Sequence, residues 1–537
     1  MPESRTIRGL SYAILLMWRS AAPAQVNVLT ANYGNERTNA NLQEQILSVD
    51  SVNPDSFGKL GSFPVDGAIY AQPLYVSGLT IGGATRNVVF VATTRNNVYA
   101  IDADAPESTT ALWRVNLGPP VPSTFINLQS IGSEVGILST PVIDLSRNAI
   151  YVVAETIENN TAVFRLHALD LSNGSEKPGG PAVIQASVIG DGDGREDGRV
   201  IFDPVQHLQR PGLLLANDTI YIAFGSHADD WPYHGWVMGY DSSSIQHQTA
   251  VFNATPHGGQ GAIWQAGRGL AADSDGFIYV ATGNGDYDGE LNFSESFLKL
   301  SPGLALLDWF TPKDWSVLSD GDFDLGSLGP MLTPDGQLLG GDKAGNMYLV
   351  NKSDMGHLGY DGMETPQITQ PIGYGGFFNI ALWDSASGPI IYLVEQGDYT
   401  GSFRVLNGRV DSSPVSTTGV NADIPYQGMA ISADGPGASS GILWMTRGDH
   451  LVRGPAAGIL HAFDSLDLSH ELWNSTMNGD RDQVGAFVKF TSPTVANGRV
   501  YVPTLSNQLV IYGLLPVDPT VTSSQPAEPA RRGARRY

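Results

Sequence analysis

Short apolar runs separated by polar turn residues recur along almost the whole chain. The clearest example lies within 263–288, where apolar runs at 269–272 and 277–282 flank a turn at 273–276 (DSDG). Two such runs on either side of a tight turn that contains glycine predict a β-hairpin. Long helical patterns are absent, so the chain is predicted to be all-β.

The same unit of strand, turn and strand returns at intervals of roughly fifty residues, a period typical of propeller blades. Eight units are recognisable, at 69–102, 137–170, 212–241, 263–301, 329–351, 379–407, 430–464 and 491–514. Many are followed by a further, outer strand, at 111–118, 249–255, 304–312 and 470–476. Repeats of this kind bury their apolar faces only by stacking, so they predict blades arranged around an axis.

The eighth unit has no outer strand of its own, because the chain runs into a polar tail after Tyr512. Near the other terminus, 57–65 has the pattern of an outer strand without a blade. Pairing these two segments would close the ring and remove the exposed sheet edges. The predicted fold is therefore an all-β, eight-bladed β-propeller of four-stranded antiparallel blades, with the ring closed by an N-terminal strand.

Four segments are predicted along the chain: a signal peptide at 1–24, an N-terminal extension at 25–56, the propeller at 57–515 and a disordered tail at 516–537. The signal is predicted because Arg5 and Arg8 precede an apolar run at 10–18 that is too short to span a bilayer. The small residues Ala22 and Ala24 fit a cleavage site after that run. The tail is rich in Pro, Ser and Thr and then in Arg, a composition typical of disorder. The mature protein is expected to be secreted or periplasmic.

Composition excludes several classes of function. Acidic residues outnumber Lys and Arg by 54 to 30, and the formal charge of −24 argues against nucleic acid and anionic membranes as partners. The chain has 0 cysteines, which excludes disulfides, thiolate metal sites, cysteine catalysis and haem attachment. No stretch after the signal predicts a membrane span, and the expected form is a monomer that acts on a small molecule. Sequons for N-glycosylation, which would make it a glycoprotein in a secreting eukaryote, occur at Asn159, Asn173, Asn217, Asn253, Asn292, Asn351 and Asn474.

Two units carry Ala-x-Asp after a strand and a tryptophan on the strand that follows. They are Ala100-Ile-Asp102 with Trp113 and Ala462-Phe-Asp464 with Trp473. This pattern resembles the tryptophan-docking motif of the pyrroloquinoline quinone (PQQ) repeat family, in which the tryptophan packs between neighbouring blades. The plainer role of these residues is blade-to-blade packing, in which the indole N–H needs a hydrogen-bond partner.

The chain also resembles the eight-bladed quinoprotein alcohol dehydrogenases, at positions where that family binds PQQ and calcium. The stretch 257–264 (HGGQGAIW) is similar to a glycine-rich segment whose tryptophan stacks under the quinone, which implies that role for Trp264. The TGN at 282–284 is similar to the family's Thr-Gly-Asn, whose asparagine ligates calcium, which implies Asn284 as a metal ligand.

Further positions follow from the same resemblance. The segment that carries the family's acidic calcium ligand aligns with 225–241 and implies Asp230 as a second metal ligand. The family's catalytic base is an aspartate near the start of the next unit, which implies Asp322 as the first choice and Asp324 as the second. A Lys or Arg that contacts the quinone implies Lys343, which precedes a glycine turn.

The chain departs from this family in two places. The dehydrogenases carry a vicinal cysteine pair above the quinone, and this chain has none. Their second unit also carries an arginine, whereas 133–136 (SEVG) occupies that place here and puts Glu134 near the carboxylates of the cofactor. Arg210, at the start of the third unit, is expected to substitute for the missing arginine from a neighbouring blade.

The residue types suit the chemistry that the resemblance implies. Calcium takes about six to eight oxygen ligands, which carboxylate and amide groups can supply. A carboxylate can take the proton of an alcohol as general base, and an indole and an ammonium group can hold the face and the anionic edge of a cofactor. Each residue also has a plainer interpretation, because Asn284 suits a turn, Asp322 and Asp324 suit turns or caps, and Lys343 suits a solvated turn.

Three functions therefore remain open. The first is a secreted quinoprotein-like oxidoreductase that depends on PQQ and calcium and oxidises an alcohol or a sugar. The second is a non-catalytic propeller that binds a protein or a glycan, which the two departures favour. The third is a hydrolase or lyase that uses the propeller funnel without a cofactor, since one scaffold hosts many chemistries.

Overall fold

The computed structural model describes residues 26–128, 130–359, 368–371, 379–393, 399–406, 408–421, 426–448 and 456–516. Helix is scarce in this part of the chain, which contains the α-helices Trp315–Gly321 and Gly479–Asp482 and the 3-10 helices Ala31–Tyr33 and Leu325–Ser327. None of the described helices has the length and apolar character needed to cross a membrane. The predicted signal peptide at 1–24, and the predicted tail from 517 onward, lie outside the described residues.

Eight antiparallel sheets form the blades of a β-propeller, which confirms the predicted fold class. Blade 1 contains Asn27–Val28, Leu74–Ile81, Ala84–Ala92, Asn97–Asp102 and Trp113–Asn116. Blade 2 contains Val142–Asp144, Ala149–Glu158, Thr161–Asp170 and Ala182–Val183. Blade 3 contains His207–Leu208, Leu214–Ala216, Thr219–Ser226, Trp236–Asp241 and Gln248–Asn253. Blade 4 contains Ala271–Ala272, Ile278–Ala281, Phe297–Leu300, Leu306–Thr311 and His357–Leu358.

The second half of the ring repeats this arrangement. Blade 5 contains Met331–Leu332, Gln337–Gly341, Asn346–Asn351 and Ile368–Pro371. Blade 6 contains Ile380–Ser385, Gly388–Leu393, Tyr399–Leu406, Arg409–Val410 and Ser416–Asn421. Blade 7 contains Ala40–Asn41, Gly428–Ala433, Gly441–Gly448, Gly458–Asp464 and Asp467–Asn474. Blade 8 contains Thr494–Ala496, Arg499–Pro503, Gln508–Leu514 and Phe57–Pro64.

Two further hairpins lie outside the blades, in the connections that flank blade 2. The first pairs Val121–Pro122 with Glu134–Val135, and the second pairs Ser187–Ile189 with Arg199–Ile201. The residues between the strands of the first hairpin include Leu128, which joins a buried apolar cluster that also contains Leu208 of blade 3. The first hairpin therefore packs onto the propeller, in an apolar cluster that Trp264 also contacts.

Apolar side chains pack between neighbouring blades. Phe164 of blade 2 meets Phe224 of blade 3 at a ring-centroid distance of 5.3 Å. At the docking motif of blade 1, Trp113 Nε1 donates a hydrogen bond of 2.9 Å to the carbonyl oxygen of Leu171, which directly follows a strand of the neighbouring blade 2. Trp473 is fully buried against Phe57 at 5.0 Å, but its indole N–H has no hydrogen-bond partner among the described residues. Both tryptophans therefore pack between blades, but only Trp113 makes the indole hydrogen bond among the described residues.

The N-terminal strand closes the ring as predicted. Phe57–Pro64 pairs antiparallel with Gln508–Leu514 and becomes the outer strand of blade 8. The pairing joins an N-terminal strand to the last strand of the propeller within one sheet, so the ring of blades is closed. A bulge between Lys59 and Gly61 interrupts the register, where a side chain on Gly61 would collide with the carbonyl oxygen of Pro106 at 2.1 Å.

Residues 27–41, named the hub segment below, run inside the ring and touch each blade in turn. Its strand Asn27–Val28 pairs with blade 1, Asn35 Nδ2 donates to Leu215 O of blade 3 at 3.0 Å, and Asn41 Nδ2 donates to Val495 O of blade 8 at 2.9 Å. Its backbone carbonyls accept hydrogen bonds of 2.8–2.9 Å from the inner strands of blades 2, 4, 5, 6 and 7, through the N–H groups of Ile143, Ala272, Leu332, Leu382 and Ile431. The predicted extension at 25–56 therefore includes a segment that saturates the inner edges of the blades.

A buried arginine anchors the hub segment. The guanidinium of Arg37 donates to Leu270 O at 2.7 Å, Ala31 O at 2.7 Å and Thr30 Oγ1 at 2.8 Å. Arg37 and Asn39 have positive φ angles of 64° and 57°, and these left-handed conformations turn the chain sharply from one blade to the next. The centre of the propeller is thus filled with protein rather than left as a channel at this level.

Candidate functional site

The candidate residues of blades 4 and 5 lie on one face of the propeller. Antiparallel strands alternate in direction, so the connection after the second strand of a blade and the connection after its fourth strand open on the same face. Asn284 follows the second strand of blade 4, Asp322 and Asp324 follow its fourth strand and the short helix after it, and Lys343 follows the second strand of blade 5. We call this the loop face.

Four of the seven residues expected from the sequence meet there. Lys343 Nζ lies 2.9 Å from Asp322 Oδ1 and forms a second ion pair with the Asp324 carboxylate. Asn284 joins the same cluster, because its Nδ2 donates to Asp322 Oδ1 and its backbone N–H donates to Asp324 Oδ1, both at 3.1 Å. Two carboxylates, one ammonium group and one amide thus form a connected cluster.

Burial separates the two carboxylates. The side chain of Asp324 is 4% exposed and that of Asp322 is 70% exposed. Burial raises the pKa of Asp324, and the Lys343 ammonium opposes this rise without reversing it. Partial burial alone would also raise the pKa of Asp322, but hydrogen bonding to Lys343 and its positive charge lower it overall. Asp322 is therefore the solvent-facing carboxylate of the pair, and its lowered pKa keeps it ionised at neutral pH.

Behind Asp324 lies a third acid, Glu295, which the sequence analysis missed. It is 0% exposed, its Oε2 accepts a hydrogen bond of 2.7 Å from Leu325 N, and its Oε1 has no hydrogen-bond partner among the described residues. Burial, reinforced by the negative charge of Asp324, raises the pKa of Glu295 to about 9. Its flanking serines resemble a loop, so only its position at the start of a buried strand could have marked it.

Trp264 lies directly beside this cluster. A Cβ atom on Gly283 would lie 2.5 Å from Asp324 Oδ1 and 3.4 Å from Trp264 Cδ1, so the indole and the buried carboxylate flank the same glycine. On the side of blade 3, a Cβ atom on Gly225 would lie 3.3 Å from Trp264 Cε3. Two glycines thus leave room for the indole ring, which is partly buried against the apolar cluster that includes Leu128.

Arg210 is deeply buried but does not contact the carboxylate cluster. Its guanidinium lies 5.0 Å from the ring centre of Tyr70 and 5.5 Å from that of Phe490, and burial lowers its pKa to about 10. Its Nη2 has no hydrogen-bond partner among the described residues. Glu134, which stands where the quinoprotein family has an arginine, pairs instead with Arg95 at 2.7 Å.

Asp230 accepts a hydrogen bond of 2.9 Å from Asn127 Nδ2, and no contact joins it to Asn284 among the described residues. Its neighbour Asp229 accepts a hydrogen bond of 3.0 Å from Tyr233 OH through its Oδ1. Burial, Asp229 and then the charges of Asp324 and Asp322 all raise the pKa of Tyr233. This loop therefore contains two candidate metal ligands, Asp229 and Asp230, and alignment of the sequence alone could not choose between them.

The donor set partly fits a hard cation such as calcium. Asn284 Oδ1 is buried without a hydrogen-bond partner among the described residues, while the Nδ2 and backbone N–H of the same residue donate to Asp322 and Asp324. Amide and carboxylate oxygens are ligands that calcium prefers. Lys343 already supplies one positive charge to these carboxylates, and the described residues contain no group of three or more His, Asp or Glu side chains arranged around a metal site. A calcium ion here would need further oxygen ligands from a bound cofactor.

Comparison with known proteins gives the fold independently. A quinohemoprotein alcohol dehydrogenase from Pseudomonas putida HK5 superposes with a TM-score of 0.57 at 13% identity, over 95% of this chain and 82% of that one. The quinohemoprotein alcohol dehydrogenase from Comamonas testosteroni also superposes with a TM-score of 0.57 at 13% identity, over 91% of this chain and 80% of that one. BamB from Moraxella catarrhalis has a TM-score of 0.47 at 11% identity, over 85% of this chain and 97% of that one.

No protein-family model matches the chain, and no curated protein matches it. At identities this low, similarity of structure establishes the architecture and not the chemistry, since one scaffold hosts many functions. The chain is an eight-bladed β-propeller with the fold of the quinoprotein alcohol dehydrogenases.

Proposed function

We propose that this propeller is an oxidoreductase of the quinoprotein type, which oxidises an alcohol or a sugar hydroxyl with PQQ as its cofactor. The observation that carries the proposal is the cluster in which Lys343 joins Asp322 to Asp324, with Asn284 bonded to both carboxylates and Trp264 alongside. A packed blade has no structural need for two aspartates, a lysine and an unsatisfied amide oxygen on one face.

Asp322 is the proposed general base. It is exposed, and the neighbouring ammonium group keeps its pKa low, so it is ionised and accessible to a substrate hydroxyl at neutral pH. Lys343 holds its carboxylate in place and stabilises the charge that the cluster carries. Asp324 is buried behind it and positions Asn284 through the backbone N–H, so it is the proposed positioning residue rather than the base.

Trp264 and Lys343 would hold the cofactor, with Arg210 facing its anionic groups. The unsatisfied Asn284 Oδ1 and the Asp324 carboxylate would hold calcium, and the loop that contains Asp229 and Asp230 would lie at its edge. A bound quinone supplies the electron acceptor, and a bound calcium ion polarises the carbonyl group of that acceptor.

Titration of the purified protein with PQQ, first without and then with calcium, tests the proposal. We expect saturable binding by absorbance, a raised melting temperature that requires calcium, and reduction of a dye when an alcohol or sugar is added. Asp322→Asn should lower the rate of dye reduction at least about 100-fold, the scale of general-base catalysis, and leave PQQ binding intact. Asp320→Asn is the control, because Asp320 is an exposed aspartate two residues before Asp322.

Absence of PQQ binding in both conditions would overturn the proposal. Full dye reduction by Asp322→Asn would overturn the role of Asp322 alone, because PQQ binding and the response to calcium would be unaffected.

A further inference from the structure

Two cations converge on one aromatic ring near the centre of the loop face. Arg210 Cζ and Lys489 Nζ each lie 5.5 Å from the ring centre of Phe490. Arg210 also lies 5.0 Å from the ring centre of Tyr70, and Lys489 lies 5.6 Å from that of Tyr426. Three aromatic rings thus surround a pair of like charges that come from blades 3 and 8.

The positions of these residues along the chain place them near the axis of the ring, at the end that carries the loop face; this region is called the hub below. Tyr70, Arg210, Gly267 and Phe490 occupy equivalent positions, each four residues before the start of a strand near the axis, namely Leu74–Ile81 of blade 1, Leu214–Ala216 of blade 3, Ala271–Ala272 of blade 4 and Thr494–Ala496 of blade 8. Equivalent positions of neighbouring blades meet around the axis of a propeller. The contact between Gly267 and Phe490 agrees, because a Cβ atom on Gly267 would lie 2.0 Å from Phe490 O. Trp264 precedes Gly267 by three residues, so the two cations and the indole share one end of the ring.

Neither cation has an ion-pair partner among the described residues. Arg210 is 5% exposed, and its Nη2 makes no hydrogen bond. Burial, together with the positive charge of Arg210, lowers the pKa of Lys489 to about 8. Burying like charges together without an anion opposes folding, and stacking on aromatic rings compensates for only part of that opposition. In a protein with a formal charge of −24, a buried arginine and a half-buried lysine that share an aromatic ring and have no ion-pair partner among the described residues indicate a site for an anion.

We propose that Arg210 and Lys489 form a carboxylate-binding subsite at the hub, and that the ligand is an aromatic carboxylate whose anionic groups replace the missing ion-pair partners. Arginine and lysine both bind carboxylates through charge-assisted hydrogen bonds. Phe490, Tyr70 and Tyr426 give the site its aromatic surroundings. In so far as this subsite takes the carboxylates of PQQ, the inference rests on the proposed function.

Calorimetric titration with benzene-1,3,5-tricarboxylate, an aromatic carboxylate without redox chemistry, tests the subsite directly. We expect the wild-type protein to bind this probe and Lys489→Met to bind it at least 10-fold more weakly, because one of the two charges is lost. Lys299→Met is the matched control, since Lys299 also lies over an aromatic ring, at 4.4 Å from Phe277, but donates to Lys352 O and lies away from the hub. It should bind the probe like the wild type. Arg210→Gln should also abolish binding, but Lys489→Met carries the test if that variant fails to fold.

The melting temperature without ligand separates a binding role from a structural one. Lys489→Met removes a repulsive charge and should melt at or above the wild-type temperature, whereas loss of a structural lysine would lower it. Absence of probe binding to the wild type, or unchanged binding to Lys489→Met, would overturn the inference. Probe binding without any PQQ-dependent dye reduction would support the subsite and overturn the proposed function. Dye reduction with PQQ, together with absent probe binding, would support the proposed function and overturn the subsite.

Discussion

Burial sets the direction in which the pKa of each carboxyl group in the candidate site shifts. Asp322 faces solvent beside Lys343 and is ionised, whereas burial raises the pKa of Asp324 and brings that of Glu295 to about 9. Three acids that lie close together therefore differ in pKa because their surroundings differ. The exposed member of the set is the one available to a substrate.

The raised pKa of Glu295 makes a prediction about stability. A group whose pKa is higher in the folded state contributes stability that is fully present below its ordinary pKa of 4.5 and is lost as the pH rises toward about 9. We therefore expect Glu295→Gln, which cannot ionise, to gain stability relative to the wild type over this window, by up to about 1.4 kcal/mol per pH unit. Urea unfolding at pH 5 and pH 8 measures the difference.

Glu290→Gln is the control for that experiment, since Glu290 is exposed in the same connection. Its unfolding free energy should follow that of the wild type at both pH values. If Glu295→Gln also followed the wild type at both values, Glu295 would titrate as an ordinary carboxyl group and the buried, neutral state would be wrong.

At the scale of single elements, the strand that closes the ring depends on one aromatic anchor. Phe57 is fully buried and lies 5.3 Å from Trp444, 5.0 Å from Trp473 and 6.5 Å from Tyr512, ring centre to ring centre. These partners belong to blades 7 and 8, so the side chain joins the closing strand to both. Closure is thus secured by packing as well as by backbone pairing.

We expect Phe57→Ala to lower the free energy of unfolding by about 3–5 kcal/mol, because it removes a buried ring and leaves a cavity between blades. Guanidinium denaturation measures the loss. Phe125→Ala, at a ring that is 36% exposed, should change the stability much less. Equal effects of the two substitutions would mean that the closing strand contributes little to the stability of the ring.

At the scale of the whole molecule, the hub segment connects all eight blades from the inside. The buried side chain of Arg37 donates hydrogen bonds to Thr30, Ala31 and Leu270, and burial lowers its pKa to about 9. The inner edge of each blade thereby gains backbone partners that a bare ring would lack.

We expect Arg37→Met to lower the free energy of unfolding by about 3 kcal/mol or more, because methionine fills similar space but leaves buried carbonyl groups without donors. Arg199→Met is the control, since Arg199 is exposed and hydrogen-bonds only within its own hairpin, to Ser187. It should change stability by no more than about 0.5 kcal/mol. A hub segment of no structural importance would give equal values for the two variants.

Apolar periodicity was sufficient to predict the blades and the strand that closes them. Each blade repeats the same alternation of apolar and turn residues, and the strand at 57–65 was recognisable because its pattern had no partner nearby. The hub segment was not recognisable, because it is bound through backbone carbonyls and polar side chains, which leave no period in the sequence. Its role depends on the closed ring around it.

The sequence by itself determined the fold of this protein, since local patterns of apolar residues dictate strands and repeats dictate stacking. The resemblance of short motifs to those of the quinoprotein alcohol dehydrogenases also predicted four residues of the loop face, Trp264, Asn284, Asp322 and Lys343. Only the tertiary structure decided how those residues meet, which aspartate is exposed, and that Glu295 lies behind them. The distances between these residues, their burial and their pKa shifts depend on how loops from separate blades converge in space. Spacing along the sequence does not predict that convergence.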